Sequence, residues 1–183
     1  KVSELEFLVA NKLSNLSMPD AELKVELTEK EKLGPNGLDE IQLLFKTNLG
    51  GQFSPLKKVA SGGELSRLML TVLSILSRSK NLPTLIFDEI DTGVSGEVAA
   101  KIATEFVQMG ENIQLISITH LPQVASKGTQ HLHVSKEAQG EKTVTSVRLL
   151  NEEERIQELA KMISGAEVTD AARENAINLL QSA

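Results

Sequence analysis

Two adjacent carboxylates, Asp88 and Glu89, close the β-prone run 84–87. Such a run reads as a buried parallel strand with the acids at its carboxyl end. Open α/β sheets bind their ligands at that end. Side by side, two acids can divide the work of phosphoryl transfer. One holds a divalent cation, usually through water, and the other polarises the water that attacks a phosphate. A buried strand running into an acidic loop would present the same residues, so the pair needs corroboration from elsewhere in the chain.

Corroboration lies on both sides. Upstream, Ser61-Gly62-Gly63-Glu64-Leu65-Ser66-Arg67 opens a helix on which Leu65, Leu68, Met69, Val72, Leu73 and Leu76 fall on one face. Ser61 and Glu64 have the spacing of a capping box. A cap does not require two glycines. Gly62 and Gly63 remove side chains where the first amides and the helix dipole point outward, an arrangement suited to phosphate. Downstream, residues 113–120 form a second strand-like run that ends in Thr119-His120. Between the runs, Val98, Ala99, Ile102, Phe106 and Val107 have helical spacing, and Gly110 is the expected stop. This strand–helix–strand crossover sets two parallel strands side by side and brings Glu89 and His120 to one edge.

The three blocks, in this order, resemble ABC-ATPase motifs: a signature within 59–67, a Walker B element at 84–89 and a switch histidine at His120. Their wording narrows the match. Val59-Ala60-Ser61-Gly62-Gly63-Glu64-Leu65-Ser66-Arg67, Asp88-Glu89-Ile90-Asp91-Thr92-Gly93-Val94-Ser95-Gly96 and Ile118-Thr119-His120-Leu121-Pro122-Gln123-Val124-Ala125 are similar to the RecN family. These are SMC-like ATPases of bacterial DNA double-strand-break repair. The resemblance covers nearly the whole chain. It implies the carboxyl-terminal part of an ATPase head, preceded by the end of a coiled-coil arm. It implies Mg²⁺ at Asp88, a water-activating role for Glu89 and γ-phosphate contact for His120. Ser61, Gly62, Gly63 and Glu64 would cap ATP held by a second head. Residues 91–96, with Asp91, Thr92, Gly93 and Ser95, would form the D-loop. Ser95 stands where the wider pattern usually has Asp, and it can equally N-cap the next helix. The complete protein so implied is cytoplasmic, nucleoid-associated and homodimeric, and it binds ATP and DNA.

One element of a nucleotide site is missing. The chain contains no G-x-x-x-x-G-K-[ST]; Gly34-Pro35-Asn36-Gly37 reads as a turn, and Lys127-Gly128-Thr129 lacks the required order. Without that loop nothing cradles the α- and β-phosphates. The chain, which begins at Lys1 rather than Met, therefore reads as a fragment. It is expected to be inactive alone and to need an amino-terminal head half that carries the P-loop.

Composition sets outer bounds. A chain of 183 residues with 40% hydrophobic content can bury one core. The absence of cysteine excludes disulfides and thiolate metal sites and fits a reducing cytoplasm. No apolar run approaches membrane-spanning length, and no signal-peptide pattern is visible. A net charge of −6 argues against a broad nucleic-acid face. The lack of Trp and Tyr argues against a base-stacking platform. Lys57, Lys58, Arg67, Arg78 and Lys80 read as a solvated cluster and helix-end cations rather than a DNA contact.

The expected architecture is α/β: parallel strands with flanking helices, plus antiparallel hairpins. Residues 1–17 would end the arm, as a helix over 2–16 with Leu5, Leu8, Val9, Leu13 and Leu16 on one side and a break at Met18-Pro19-Asp20. Residues 18–183 would form the head lobe. Leu23, Val25 and Leu27 alternate with polar residues, as do Ile41, Leu43 and Phe45; these predict two half-buried antiparallel strands joined by a charged loop. Residues 48–59 read as a linker. A short helix opens at Pro122, and a hairpin turns at Gln139-Gly140. That hairpin puts His131 and His133 on one face, which reads as exposed strand because no third metal ligand accompanies them. Asn151 with Glu154 caps a helix that Gly165 ends, and Thr169 caps the last one. Two other function classes fit parts of this pattern. One is a non-catalytic dimerisation module, against which the intact Asp88, Glu89 and His120 argue. The other is an ABC-transporter nucleotide-binding subunit, which Ile90-Asp91 and the final hairpin disfavour.

Overall fold

Helix α1 (Val2–Asn15) stops where Pro19 approaches, and it buries Val9 and Leu13 while Leu8, expected on the same face, is exposed along with Phe7. The computed structural model describes residues 1–35, 37–58, 61–80, 82–94, 96–139, 142–165 and 167–182. After α1, strands β1 (Glu22–Gly34) and β2 (Gly37–Lys46) pair antiparallel, with Leu23 opposite Phe45, Val25 opposite Leu43 and Leu27 opposite Ile41. The base of this ribbon is buried against α1, whereas Leu27 and Ile41 further out are exposed. The charged stretch expected as a loop is strand instead, with a register shift between Glu29 and Gly34. A two-stranded ribbon with solvent on both sides satisfies its backbone and leaves charged side chains in water. The expected linker also holds structure: β3 (Ser54–Pro55) pairs with β2, and a 3-10 turn (Leu56–Lys58) follows.

Helix α2 (Gly62–Lys80) is the wall between two cores. Leu68, Val72 and Ile75 pack with α1 and the ribbon base. Leu70 and Leu73 pack with the core of the crossover unit. Two neighbours rotate the buried face away from the expected stripe: Thr71, Ser74 and Ser77 are buried, and Met69 and Leu76 are exposed. The crossover unit is β4 (Thr84–Asp88), α3 (Gly96–Gly110) and β5 (Gln114–Ile118), with β4 and β5 parallel and Asp88 opposite Ile118. Helix α3 runs through Gly110, which is not left-handed. Phe87 and Phe106 stack at 5.0 Å between centroids, tying β4 to α3. Burying one such ring stabilises by about 1.5–3 kcal/mol. Strand β4 was expected to be covered on both faces; Phe87 is 3% exposed but Ile86 is 64% exposed. No layer among the described residues lies over Ile86, Ile116 and Ile118.

Helix α4 (Pro122–Ala125) leads to the hairpin β6 (Leu132–Gln139) and β7 (Lys142–Leu149). Helix α5 (Glu152–Ser164) forms the expected capping box between Asn151 and Glu154 and ends at Gly165 with φ 82°. Helix α6 (Asp170–Gln181) is capped by Thr169 and packs Ala172 and Ala176 against Leu159 and Ala160. His131 and His133 lie against α5 rather than on an open face: both are half-buried, and His133 Nε2 is 3.6 Å from Glu158. No described helix is long and apolar enough to cross a membrane.

Candidate functional site

The parallel register delivers the acids and the histidine together. Asp88 is the last residue of β4 and faces Ile118 of β5. The next amide, Glu89 N–H, donates to the Ile118 carbonyl at 3.0 Å, so the ladder continues past the strand end. His120 follows Ile118 by two residues. Asp88, Glu89 and His120 are all exposed there. The backbone then turns sharply. Glu89 has φ 48°, a left-handed value that a side-chain-bearing residue rarely adopts. Its carbonyl accepts from Thr92 N–H at 3.0 Å, and Gly93 takes φ 79° to complete the turn.

That turn meets the start of α2. A Cβ at Gly63 would lie 3.4 Å from the Gly93 carbonyl oxygen, so the helix start and the turn are in near contact. A Cβ at Gly62 would meet nothing within 4 Å. Among the described residues Gly62 thus leaves space beside the first turn of the helix, as an approaching anion requires. Ser61 is exposed, and its carbonyl accepts from Leu65 N–H at 3.1 Å. No side-chain bond joins Ser61 to the Glu64 amide among the described residues, so the capping box expected there is not found. Glu64 is half-buried. Val59, Ala60 and Ser95, together with Asn36 and Gly140 of the expected turns, lie outside the described residues.

Asp91 departs from what its place in a loop suggests. It is 1% exposed. Thr119 Oγ1 donates to its Oδ2, and Thr119 Oγ1 accepts from Leu121 N–H at 3.0 Å. Thr92 and Gly93 are exposed beside it. Nothing in the residue types marks Asp91 and Thr119 as a pair, because polar residues after strands read as surface.

Arg67, expected in a solvated cluster, is half-buried. Its Nε donates to the Gly63 carbonyl at 3.1 Å and its Nη1 to the Leu16 carbonyl at 3.2 Å, which joins the signature turn to the end of α1. Lys12 pairs with Glu105 of α3, and Ser74 of α2 donates to the same carboxylate at 2.5 Å.

The donor set suits Mg²⁺ only in a particular way. No group of three or more candidate ligands occurs among the described residues. Asp88 and Glu89 are adjacent and exposed at the end of β4. Mg²⁺ characteristically takes one or two carboxylates and completes its shell with water and substrate phosphates. The residues fit such a phosphate-dependent ion and do not form a free-standing cage.

Comparison with known proteins gives a consistent relationship, although no family model matches the chain. It is 40% identical over 181 residues to the DNA repair protein RecN of Vibrio cholerae, covering 98% of this chain and 33% of that protein. It is 44% identical over 159 residues to RecN of Bacillus subtilis, covering 87% of this chain and 27% of that one. The chain therefore spans about a third of the length of these relatives. Among solved structures it resembles an Smc head domain with coiled coil and joint from Pyrococcus yayanosii, with TM-score 0.67 and 19% identity over 86% of this chain and 28% of that one. It also resembles a chain from work on ATP-driven dimerization and DNA-stimulated activation of SMC ATPases, with TM-score 0.61 and 19% identity over 91% of this chain and 94% of that one. The fold is that of SMC ATPase heads, mixed α/β with parallel and antiparallel sheets.

Proposed function

The chain belongs to the RecN family, and from that premise we propose that it supplies the carboxyl-terminal part of an ATP-hydrolysing head in DNA double-strand-break repair. In this reading two heads sandwich ATP. Gly62, Gly63 and the Ser61 hydroxyl of one head bind the γ-phosphate of ATP carried by the other, with Glu64 beside them. Asp88 holds Mg²⁺ through water, Glu89 takes the proton of the attacking water, and His120 contacts the γ-phosphate. Mg²⁺, when bound, supplies charge neutralisation at the phosphate oxygens. The turn with Asp91, Thr92, Gly93 and Ser95 forms the D-loop region near the second head.

The observation that carries this reading is the convergence of three separated motifs: Glu89 bonds backbone to backbone with the strand that leads to His120, and the next turn touches Gly63. A sandwich also needs a P-loop, which this sequence lacks. The bare sheet face of Ile86, Ile116 and Ile118, and the exposed Leu132, Val134, Val147 and Leu149 of the hairpin, suit a further layer. We assign that layer to an amino-terminal head half with the P-loop, so this chain alone is inactive. Residues 1–17 are read as the foot of the coiled-coil arm. The complete protein then acts as a cytoplasmic, nucleoid-associated homodimer on DNA.

Trans-complementation tests the sandwich. In the complete protein, Ser61→Arg blocks the phosphate site with a bulky cation, and Glu89→Gln removes the base. Each homodimer should be inactive. In a mixed dimer one composite site is doubly damaged and the other is wholly wild-type. Equal mixing of independent sites should therefore restore roughly a quarter of wild-type turnover, the outcome of a two-fold interface with sites shared between subunits. No recovery, with heteromeric assembly demonstrated, would contradict the arrangement.

A further inference from the structure

Asp91 has no surface to offer a partner, yet it sits in the turn between Glu89 and the signature helix. Its Oδ2 accepts from Thr119, and its Oδ1 has no hydrogen-bond partner among the described residues. The Thr119 hydroxyl accepts from Leu121 N–H through a lone pair and gives its single proton to Asp91. The 89–92 turn and the 118–121 turn are thus joined twice: by Glu89 N–H to the Ile118 carbonyl at 3.0 Å, and by the side-chain bond from Thr119 to Asp91. Between those two bonds lie the candidate base, whose φ is 48°, and the residue preceding His120.

We propose that the buried Asp91–Thr119 pair is a positioning device that holds Glu89 in its left-handed conformation and fixes the turn presenting His120. The proposal rests on Glu89 being the base and His120 a phosphate contact. A left-handed non-glycine residue relaxes towards the right-handed or extended regions unless its surroundings hold it. The backbone bond from Glu89 to Ile118 fixes one end of the turn. The Asp91 side chain fixes the other, two residues after Glu89. Loss of the Thr119 hydroxyl frees both turns, because it organises Asp91 on one side and the Leu121 amide on the other, whereas loss of Asp91 frees the 89–92 turn. Burial separates this role from direct contact with a second head. A side chain 1% exposed and bonded inward is not presented at an interface.

The test uses the complete protein and four variants. Thr119→Val removes the hydroxyl at constant shape, Thr119→Ser keeps it, Asp91→Ala removes the acceptor, and Glu89→Gln controls for the base. Misplacing a catalytic group by about 1 Å can cost on the order of 10²-fold in rate. Thr119→Val and Asp91→Ala should lower kcat by about 10–10²-fold, leaving the KM for ATP and ATP-driven head association unchanged. Thr119→Ser should restore turnover, and the double variant should lose no more than either single one. If Thr119→Val folds and turns over at the wild-type rate while Glu89→Gln is inactive, the pair does not position the base and the proposal fails with the site assignment intact. Loss of head association at unchanged turnover per dimer would place the pair at the interface and overturn the proposal. Wild-type turnover in Glu89→Gln would remove the assignment on which it rests.

Discussion

Gly62→Ala should make the head more stable and less active. Among the described residues a Cβ at this position meets no atom of another segment within 4 Å, and the backbone is outside the left-handed region, so alanine fits without strain. Alanine in a helix is favoured over glycine by about 0.5–1 kcal/mol, largely because the unfolded chain loses freedom. For a unit of this size that raises the unfolding midpoint by about 1–4 °C. The same methyl group occupies the space before the first helix amides, where the proposed phosphate approaches. A displacement of about 1 Å there should cost on the order of 10²-fold in turnover. Thermal unfolding of the complete protein gives the first quantity, with hydrogen exchange of the α2 amides locating the gain. Steady-state ATP hydrolysis gives the second. A variant that is stabilised and fully active would mean that Gly62 only begins a helix and binds no phosphate.

In the complete protein, Glu89→Gln should slow hydrolysis by about 10²–10⁴-fold while ATP-driven head pairing persists; size-exclusion chromatography with and without ATP reads the pairing, and wild-type hydrolysis would dismiss Glu89 as the base. Burial, and then the charge of Arg155, hold His131 below its ordinary range, with Glu158 opposing in part. The unfolded chain thus takes up the proton first as pH falls below about 6.5, so the stability contribution is whole above that value and is lost as pH falls towards the lowered folded value. His131→Gln should flatten the dependence of the unfolding midpoint on pH over this interval, and an unchanged slope would place its origin elsewhere.

The site was legible where it depends on local signals. An apolar run ending in Asp88-Glu89, a second ending in Thr119-His120 and a helix between them leave one handed crossover, and the parallel register follows. The helix starts at Asn151 and Thr169 were equally plain, since cap residues act on amides two or three positions away. Burial was less legible. Periodicity gives α2 one apolar stripe, but the helix serves two cores, and Thr71, Ser74 and Ser77 fill the side between them. The length of the ribbon is not legible, because a charged run reads as a loop although residues 28–32 extend as strand with their side chains in water.

What periodicity cannot carry is a polar contact between distant segments. Lys12 and Glu105 are 93 residues apart, and Arg67 and Leu16 are 51 apart. The side chains of Lys12, Glu105 and Arg67, taken locally, belong on a surface. Glu105 lies on a helix with no local reason to be shielded, yet its side chain is 12% exposed because α1, α2 and α3 converge on it. The ammonium of Lys12 and the hydroxyl of Ser74 offset its desolvation there. Arg67 performs the same service at the other end of the junction, bonding the Leu16 carbonyl, which the end of α1 leaves without a helical partner, and the Gly63 carbonyl in the first turn of its own helix. Apolar packing at Leu13 and Leu68 brings α1 and α2 together but tolerates sliding. The directional bonds of Arg67 and Glu105 do not, and they fix how far Gly62 and Gly63 stand from the end of α1.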